Sequence, residues 1–335
     1  MPAFAPKLVR WQRRHGRHGL PWQGTRDPYR IWLAEVMLQQ TQVAAVIPYY
    51  ERFLTRFPDV GALAEASEDE VLQLWSGLGY YARGRNLHAA ARRVASRGGF
   101  PDSMEGLSAL PGVGRSTAAA IAAFAFGRRA AILDGNVKRV LARCFGVEGD
   151  AQWLLAERLL PRRGIETYTQ ALMDLGATVC TRLNPGCSRC PVAKDCVALR
   201  EDRVAELPSR RQRKALPLKR ANWIVLLHQG SVHLQRRPSP GIWGGLWSFP
   251  EGPARDVQSF CKREFSCLVA TPRRMPVIEH GFTHYRLNVL PIRCQVRKFL
   301  AEPHGVWLEL EEAARAAVPA PVRTLLAGLL LDQAA

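Results

Sequence analysis

The sequence predicts a multidomain chain in which an all-α part is followed by an α+β part. Three observations predict this. Apolar residues recur at three-and-four spacing from about residue 27 to 200, with little strand-type alternation. The stretch LREDRVAELPSRRQRKALPLKR (199–220) is charged, holds two prolines and lacks a sustained apolar face, which is the composition of a linker. Beyond it the period shortens: NWIVLLHQGSVHLQRR reads as a hairpin and HYRLNVLPIRCQV as a further strand. At 335 residues the chain is long enough for two cores. The expected division is 1–198, a linker at 199–220, and 221–335.

In the first part, Asp27-Pro28 opens a helix as cap and first-turn proline, and YRIWLAEVMLQQ follows. Asp59, Ser67, Asp102 and Ser108 are further expected caps. In the second part, aromatics and glycines crowd GIWGGLWSFP, and a closing helix is expected over about 320–331. The balance of 47 Lys+Arg against 29 Asp+Glu gives +18, and both parts share the basic excess. A polyanion is the leading explanation, because each cation that neutralises a phosphate releases counterions. An Arg-rich coding bias is the alternative. The run LLAGLLL is far shorter than a bilayer span, so no membrane partner is expected. The N-terminus MPAFAPKLVRWQRRHGRHG lacks the apolar core of a signal peptide, which predicts a cytoplasmic protein whose thiols stay reduced.

Half of the eight cysteines fall in VCTRLNPGCSRCPVAKDC, spaced Cys180-x6-Cys187-x2-Cys190-x5-Cys196 among Arg182, Arg189 and Lys194. Four thiolates suit tetrahedral zinc or a cubane iron–sulfur cluster. Zinc sites usually bring two close Cys pairs, and this stretch has only the central one. Cys144, Cys261, Cys267 and Cys294 are scattered and read as core thiols. In LPGVGRSTAAAIAAFAFG, Gly112 and Gly114 precede a small-residue helix. Such a turn lets the amides at the helix start face a phosphate without reading sequence, although a plain helix connection has the same form.

Asp134 lies in a Leu-Asp-Gly-Asn turn that opens LDGNVKRVLARCFG. Helix amides there are expected to keep the carboxylate ionised, able to stabilise a developing sugar cation, with Asn136 fixing the local geometry. Glu35 sits in the apolar run IWLAEVML, with Ile31 one turn away on its face. A solvent-facing glutamate is the simpler alternative. Partial burial would raise its pKa and suit it to act as a general acid. A protonated carboxyl beside an ionised one is the division of labour that glycosidic cleavage needs.

LPW (20–22), DPYRIWLAEVMLQQTQV (27–43), LWSGLGYYARGRNLH (74–88), LPGVGRSTA, LDGNVKRVLAR and the cysteine loop resemble the adenine DNA glycosylase family of the endonuclease III superfamily. The resemblance covers essentially the whole chain. It implies a helix–hairpin–helix glycosylase core, made of a six-helix barrel and an iron–sulfur cluster domain, followed by a Nudix-like domain. It implies one 4Fe–4S cluster on Cys180, Cys187, Cys190 and Cys196. The implied partner is double-stranded DNA with adenine opposite 8-oxoguanine or guanine, bound by a monomer at the bacterial nucleoid. Glu35 would protonate adenine, Asp134 would stabilise the oxocarbenium-like species, and Trp22 and Gln170 would line the adenine pocket. Gln40, Thr41 and Leu78 would contact the lesion base, and Tyr80 would wedge into the helix. Gly112, Gly114, Ser116 and Lys138 would lie against the DNA. Phe282-Thr283-His284 matches the family's lesion-reading Phe-Ser-His, with a departure at Thr283.

Two rivals remain. An endonuclease III-type lyase needs a lysine after Gly-x-Gly-Arg, and this chain has Ser116 there. A non-catalytic damage binder would not need both Glu35 and Asp134. Arg263-Glu264 is followed by Phe265, Ser266 and Cys267 rather than the glutamates of a Nudix hydrolase, so pyrophosphatase activity is not expected.

Overall fold

The computed structural model describes residues 4–209, 215–239, 241–302 and 305–334. Contacts divide the chain into two compact units: Met1–Ala66 with Asn86–Gln212, and Ser67–Arg85 with Arg213–Ala335. Among the described residues, no helix is long and apolar enough to cross a membrane.

The first unit is helical. Asp27 caps the helix Pro28–Leu38 by accepting from the Tyr29 amide at 2.9 Å. Tyr29, Ile31, Trp32, Leu33, Ala34, Val36 and Met37 are all buried, so this helix is enclosed on nearly every side. It packs on the helix Arg115–Phe126, whose alanines at 118, 119, 120, 122 and 123 are buried. Alanine favours the helix and lets two backbones approach closely. Asp59 also caps a helix, and in the second unit Ser67 caps another in a reciprocal box with Glu70. Asp102 and Ser108 do not. Ser103 caps Met104–Ser108, Asp102 pairs with Arg128, and Ser108 ends that helix. A helix at Phe4–His15 precedes the predicted helical region, with Phe4, Leu8 and Trp11 buried along one side. After Cys196 the chain forms a short helix, Val197–Arg200, and Arg143 Nε holds the Leu207 carbonyl at 2.8 Å. Residues 210–214 of the expected linker lie outside the described residues.

The second unit is built on a mixed sheet. Strand Leu218–His228 pairs antiparallel with Ser231–Arg236 across Gln229-Gly230, as the hairpin pattern predicted. Both loop residues have positive φ, +47° and +88°, the turn that matches strand twist. The same strand pairs parallel with Arg286–Phe299, in register from Leu218↔Arg286 to Leu227↔Gln295. Ile224, Leu226, Ile292, Cys294 and Val296 form one core with Val257, Cys261 and Phe265 of the helix Val257–Phe265. The closing helix runs Ala320–Ala334.

Candidate active site

Glu35 opens onto a cavity of about 590 Å³ together with Ile31 and Leu38, its neighbours along one helix face. Trp22, Gln170 and Glu166 line the same cavity. Trp22 stands edge-on to the buried Tyr50 at 5.3 Å, a packing that fixes its plane. Burial pushes the Glu35 carboxyl up to about 8, and the charge of Asp134 adds to the rise. At neutral pH Glu35 therefore holds its proton.

Asp134 caps the helix Gly135–Phe145, accepting from the Val137 amide at 2.7 Å. The expected amide donors are present, and burial acts against them. Burial is the larger effect and raises the Asp134 carboxyl, while the amides of Val137 and Asn136 pull it partly back. Of the pair, Asp134 keeps the charge, because it has amide donors and the nearby Arg139 and Lys138 cations. Asn136 fixes the local geometry: its Oδ1 accepts from Arg139 Nη2 at 2.8 Å. Gly176 makes this possible, since a Cβ there would meet Asn136 Cβ at 2.6 Å.

Arg139 also donates to the carbonyls of Gly176 and Cys180, each at 2.7 Å. It thereby ties the Asp134 turn to the first cysteine of the loop. One turn later, the buried Arg143 donates to Cys180 Sγ at 3.5 Å and to the Thr181 and Arg182 carbonyls. Cys180, Cys187, Cys190 and Cys196 line a single cavity with Arg143. Among the described residues, no cluster of His, Cys, Asp or Glu is arranged to hold a single metal ion. Cys144 lies against this set, and its hydrogen bond draws the Cys196 thiol down to about 6. Arg182, Arg189 and Lys194 are exposed on the loop.

The hairpin turn has Gly112 at φ +76°, where a Cβ would also meet Asn86 Cβ at 2.8 Å. Gly114 begins the helix Arg115–Phe126 with no side-chain cap, leaving its first amides for an outside acceptor. Gln39 Nε2 steadies the turn through the Gly112 carbonyl at 3.1 Å. Ser116 Oγ accepts from the Leu133 amide at 3.0 Å, beside Asp134, and Lys138 is exposed. Gln40 is exposed with φ +58°, and the next residue, Thr41, is half-buried.

Gln170 Nε2 donates to the fully buried Asp174 at 2.8 Å, and Asp174 is paired with Arg17 Nε at 2.7 Å. A carboxylate only accepts, so the Gln170 amide nitrogen is committed and its oxygen remains for the cavity. Sequence reasoning did not select Arg17, Gln39, Asn86, Arg139, Arg143, Cys144 or Asp174. Gln39, Asn86, Arg139, Arg143 and Cys144 lie inside motifs that could have drawn attention, whereas Arg17 and Asp174 lie outside them.

Leu78, Tyr80 and the Phe282 loop belong to the second unit. Leu78 is buried, whereas Tyr80 is 46% exposed with φ +49°. Phe282 stacks on Tyr285 at 4.5 Å, and the Phe282 amide donates to the Tyr285 carbonyl at 2.9 Å. That tight turn leaves Thr283 and His284 exposed.

Residues 33–162 match the HhH-GPD superfamily of base excision DNA repair proteins, and residues 222–328 match a NUDIX domain. An adenine DNA glycosylase of Buchnera aphidicola (Acyrthosiphon pisum) is 33% identical, with 96% of each chain covered. The human adenine DNA glycosylase is 34% identical over 94% of this chain and 72% of its own. A thermostable thymine-DNA glycosylase structure superimposes with a TM-score of 0.56 at 30% identity, covering 60% of this chain and 96% of its own. The chain belongs to the adenine DNA glycosylase family.

Proposed function

We propose that this protein removes adenine from DNA, with Glu35 as general acid and Asp134 as charge stabiliser. The observation that carries the reading is the split between two neighbouring carboxyls: Glu35, lifted to about 8, and Asp134, held by helix amides. A duplex-buried base is out of reach of Glu35, so the target nucleotide is flipped into the cavity at a cost of roughly a few kcal/mol, less at a mispair. Glu35 gives its proton to a ring nitrogen, and the electrons of the C1′–N9 bond leave with the base. Asp134 stabilises the oxocarbenium-like sugar, and water completes hydrolysis to an abasic site. A purine that fills the cavity expels water from Glu35 and strengthens this division.

Double-stranded DNA is the partner, held by the uncapped amides at Gly114 with Lys138 beside the phosphates. Adenine opposite 8-oxoguanine or guanine is the target mispair, and Gln40, Thr41, Leu78, Tyr80 and Phe282-Thr283-His284 recognise its surroundings. The Thr283 hydroxyl supplies the function of the family's serine. The four cysteines around one cavity fit a 4Fe–4S cluster. When bound, it supplies a fold-organising centre with no open position for substrate. Ser116 supplies no amine, which makes the enzyme a monofunctional glycosylase.

Incubating a duplex carrying adenine opposite 8-oxoguanine, followed by alkali, tests the reading. Strand breakage is expected with the wild type and not with Glu35→Gln. No breakage with the wild type, or undiminished breakage with the variant, overturns it. Borohydride trapping undiminished by Lys138→Ala would overturn the monofunctional assignment.

A further inference from the structure

In chain order the Tyr80 turn lies within the helical part, yet Ser67–Arg85 packs as one unit with Arg213–Ala335. Two fastenings account for this. Before the turn, the Ser76 hydroxyl donates to the Val318 carbonyl at 3.0 Å and accepts from Arg323 Nη2 at 2.7 Å. Tyr81 OH donates to the same carbonyl at 3.4 Å. Arg323 is itself fixed by the Ala314 and Ala316 carbonyls at 3.0 and 3.2 Å. After the turn, Arg85 donates to the Gly244 carbonyl. Gly244 adjoins Trp243, whose ring packs on Phe282 at 5.2 Å. Within the turn, Trp75 Nε1 donates to the Gly79 carbonyl at 3.0 Å, and the Arg83 guanidinium lies 5.4 Å from the Tyr80 ring. These bonds hold a backbone of positive φ at Gly77, Gly79 and Tyr80 and leave the Tyr80 ring outside.

We propose that Ser76 and Arg323 are positioning residues for Tyr80: the segment around the start of helix Ala320–Ala334 aims the wedge, so the unit bearing Phe282-Thr283-His284 also sets the insertion of Tyr80 into DNA. A hydroxyl that donates and accepts at once has its rotation fixed, and Val318 is fully buried, so the anchor is rigid. The proposal rests on the reading of Tyr80 as a wedge, and its test separates the two.

The probe is a duplex with adenine opposite 8-oxoguanine and a fluorescent 2-aminopurine beside the lesion, whose unstacking reports the wedge. Single-turnover excision is measured on the same duplex. Ser76→Ala keeps the Arg323 bonds to Ala314 and Ala316, so the fold survives even if Arg323→Ala does not. Ser76→Ala is expected to reduce the unstacking signal and slow excision about tenfold, through loss of the two hydrogen bonds its hydroxyl makes. Arg323→Lys should recover part of what Arg323→Ala loses. In a Tyr80→Leu background, Ser76→Ala should cost almost nothing more, because both act through one ring. An equal cost in both backgrounds, or full unstacking with Ser76→Ala, overturns the positioning role while leaving the wedge intact. Wild-type unstacking and rate with Tyr80→Leu overturns the wedge reading, and the proposal with it.

Discussion

Replacing Glu35 by glutamine removes a carboxyl that the fold keeps protonated and tests the pKa division separately from catalysis. The ordinary value for this group is 4.5 and the folded value is about 8. Below 4.5 both states hold the proton, so the group costs nothing. As pH rises through the window from 4.5 to 8, the unfolded chain releases the proton and the folded chain keeps it. The wild type therefore loses stability across that window, and Glu35→Gln does not. Linkage sets the loss at about 1.4 kcal/mol per pH unit, or about 3 kcal/mol by pH 7. Glu35 opens onto a water-accessible cavity, which reduces the net gain to about 1–2 kcal/mol. Urea midpoints of wild type and variant, compared near pH 5 and near pH 8, measure it. The variant should be the more stable protein near pH 8 and nearly equal near pH 5. A difference that does not change with pH, or a variant less stable near pH 8, refutes the reasoning.

Asp134→Asn keeps an oxygen for the Val137 amide, so stability should change by less than about 1 kcal/mol while excision is lost; thermal melts and the glycosylase assay read the two effects. Gly112→Ala meets both φ +76° and Asn86, and should cost about 1–3 kcal/mol in unfolding free energy and weaken DNA affinity measured by fluorescence anisotropy. Asp174→Asn lets the Gln170 amide turn over, so discrimination between adenine and hypoxanthine substrates should fall about tenfold while Glu35 keeps its place. Arg143→Ala strands the Thr181 and Arg182 carbonyls and should speed loss of the absorbance near 400 nm expected of iron–sulfur, read during incubation with chelator.

The residues whose roles depend on local sequence were readable: Asp134 as a cap, Glu35 within an apolar helix, and the Gln229-Gly230 hairpin. What escaped depends on distant packing. Asp174 meets Arg17 from 157 positions away, and Arg139 reaches Cys180 from 41 positions away. No local pattern announces such pairs. The amides that hold the Asp134 charge were legible because they are local, while the burial that opposes them comes from distant packing. Asp102 and Ser108 have cap chemistry, but Ser103 and Gly114 occupy the backbone positions where those helices start. The helix at Phe4–His15 has apolar residues only at positions 4, 5, 8, 9 and 11 among charges, and its docking on Ile165–Asp174 is a long-range contact.

The central claim is that a protonated Glu35 delivers the proton that releases adenine. The pH dependence of the single-turnover excision rate on a duplex with adenine opposite 8-oxoguanine tests it most directly. The rate should fall on the alkaline side with a midpoint near 8, as Glu35 gives up its proton, and again in acid as Asp134 is neutralised. A rate that stays level from neutrality through about pH 9, or one that rises there, contradicts the account.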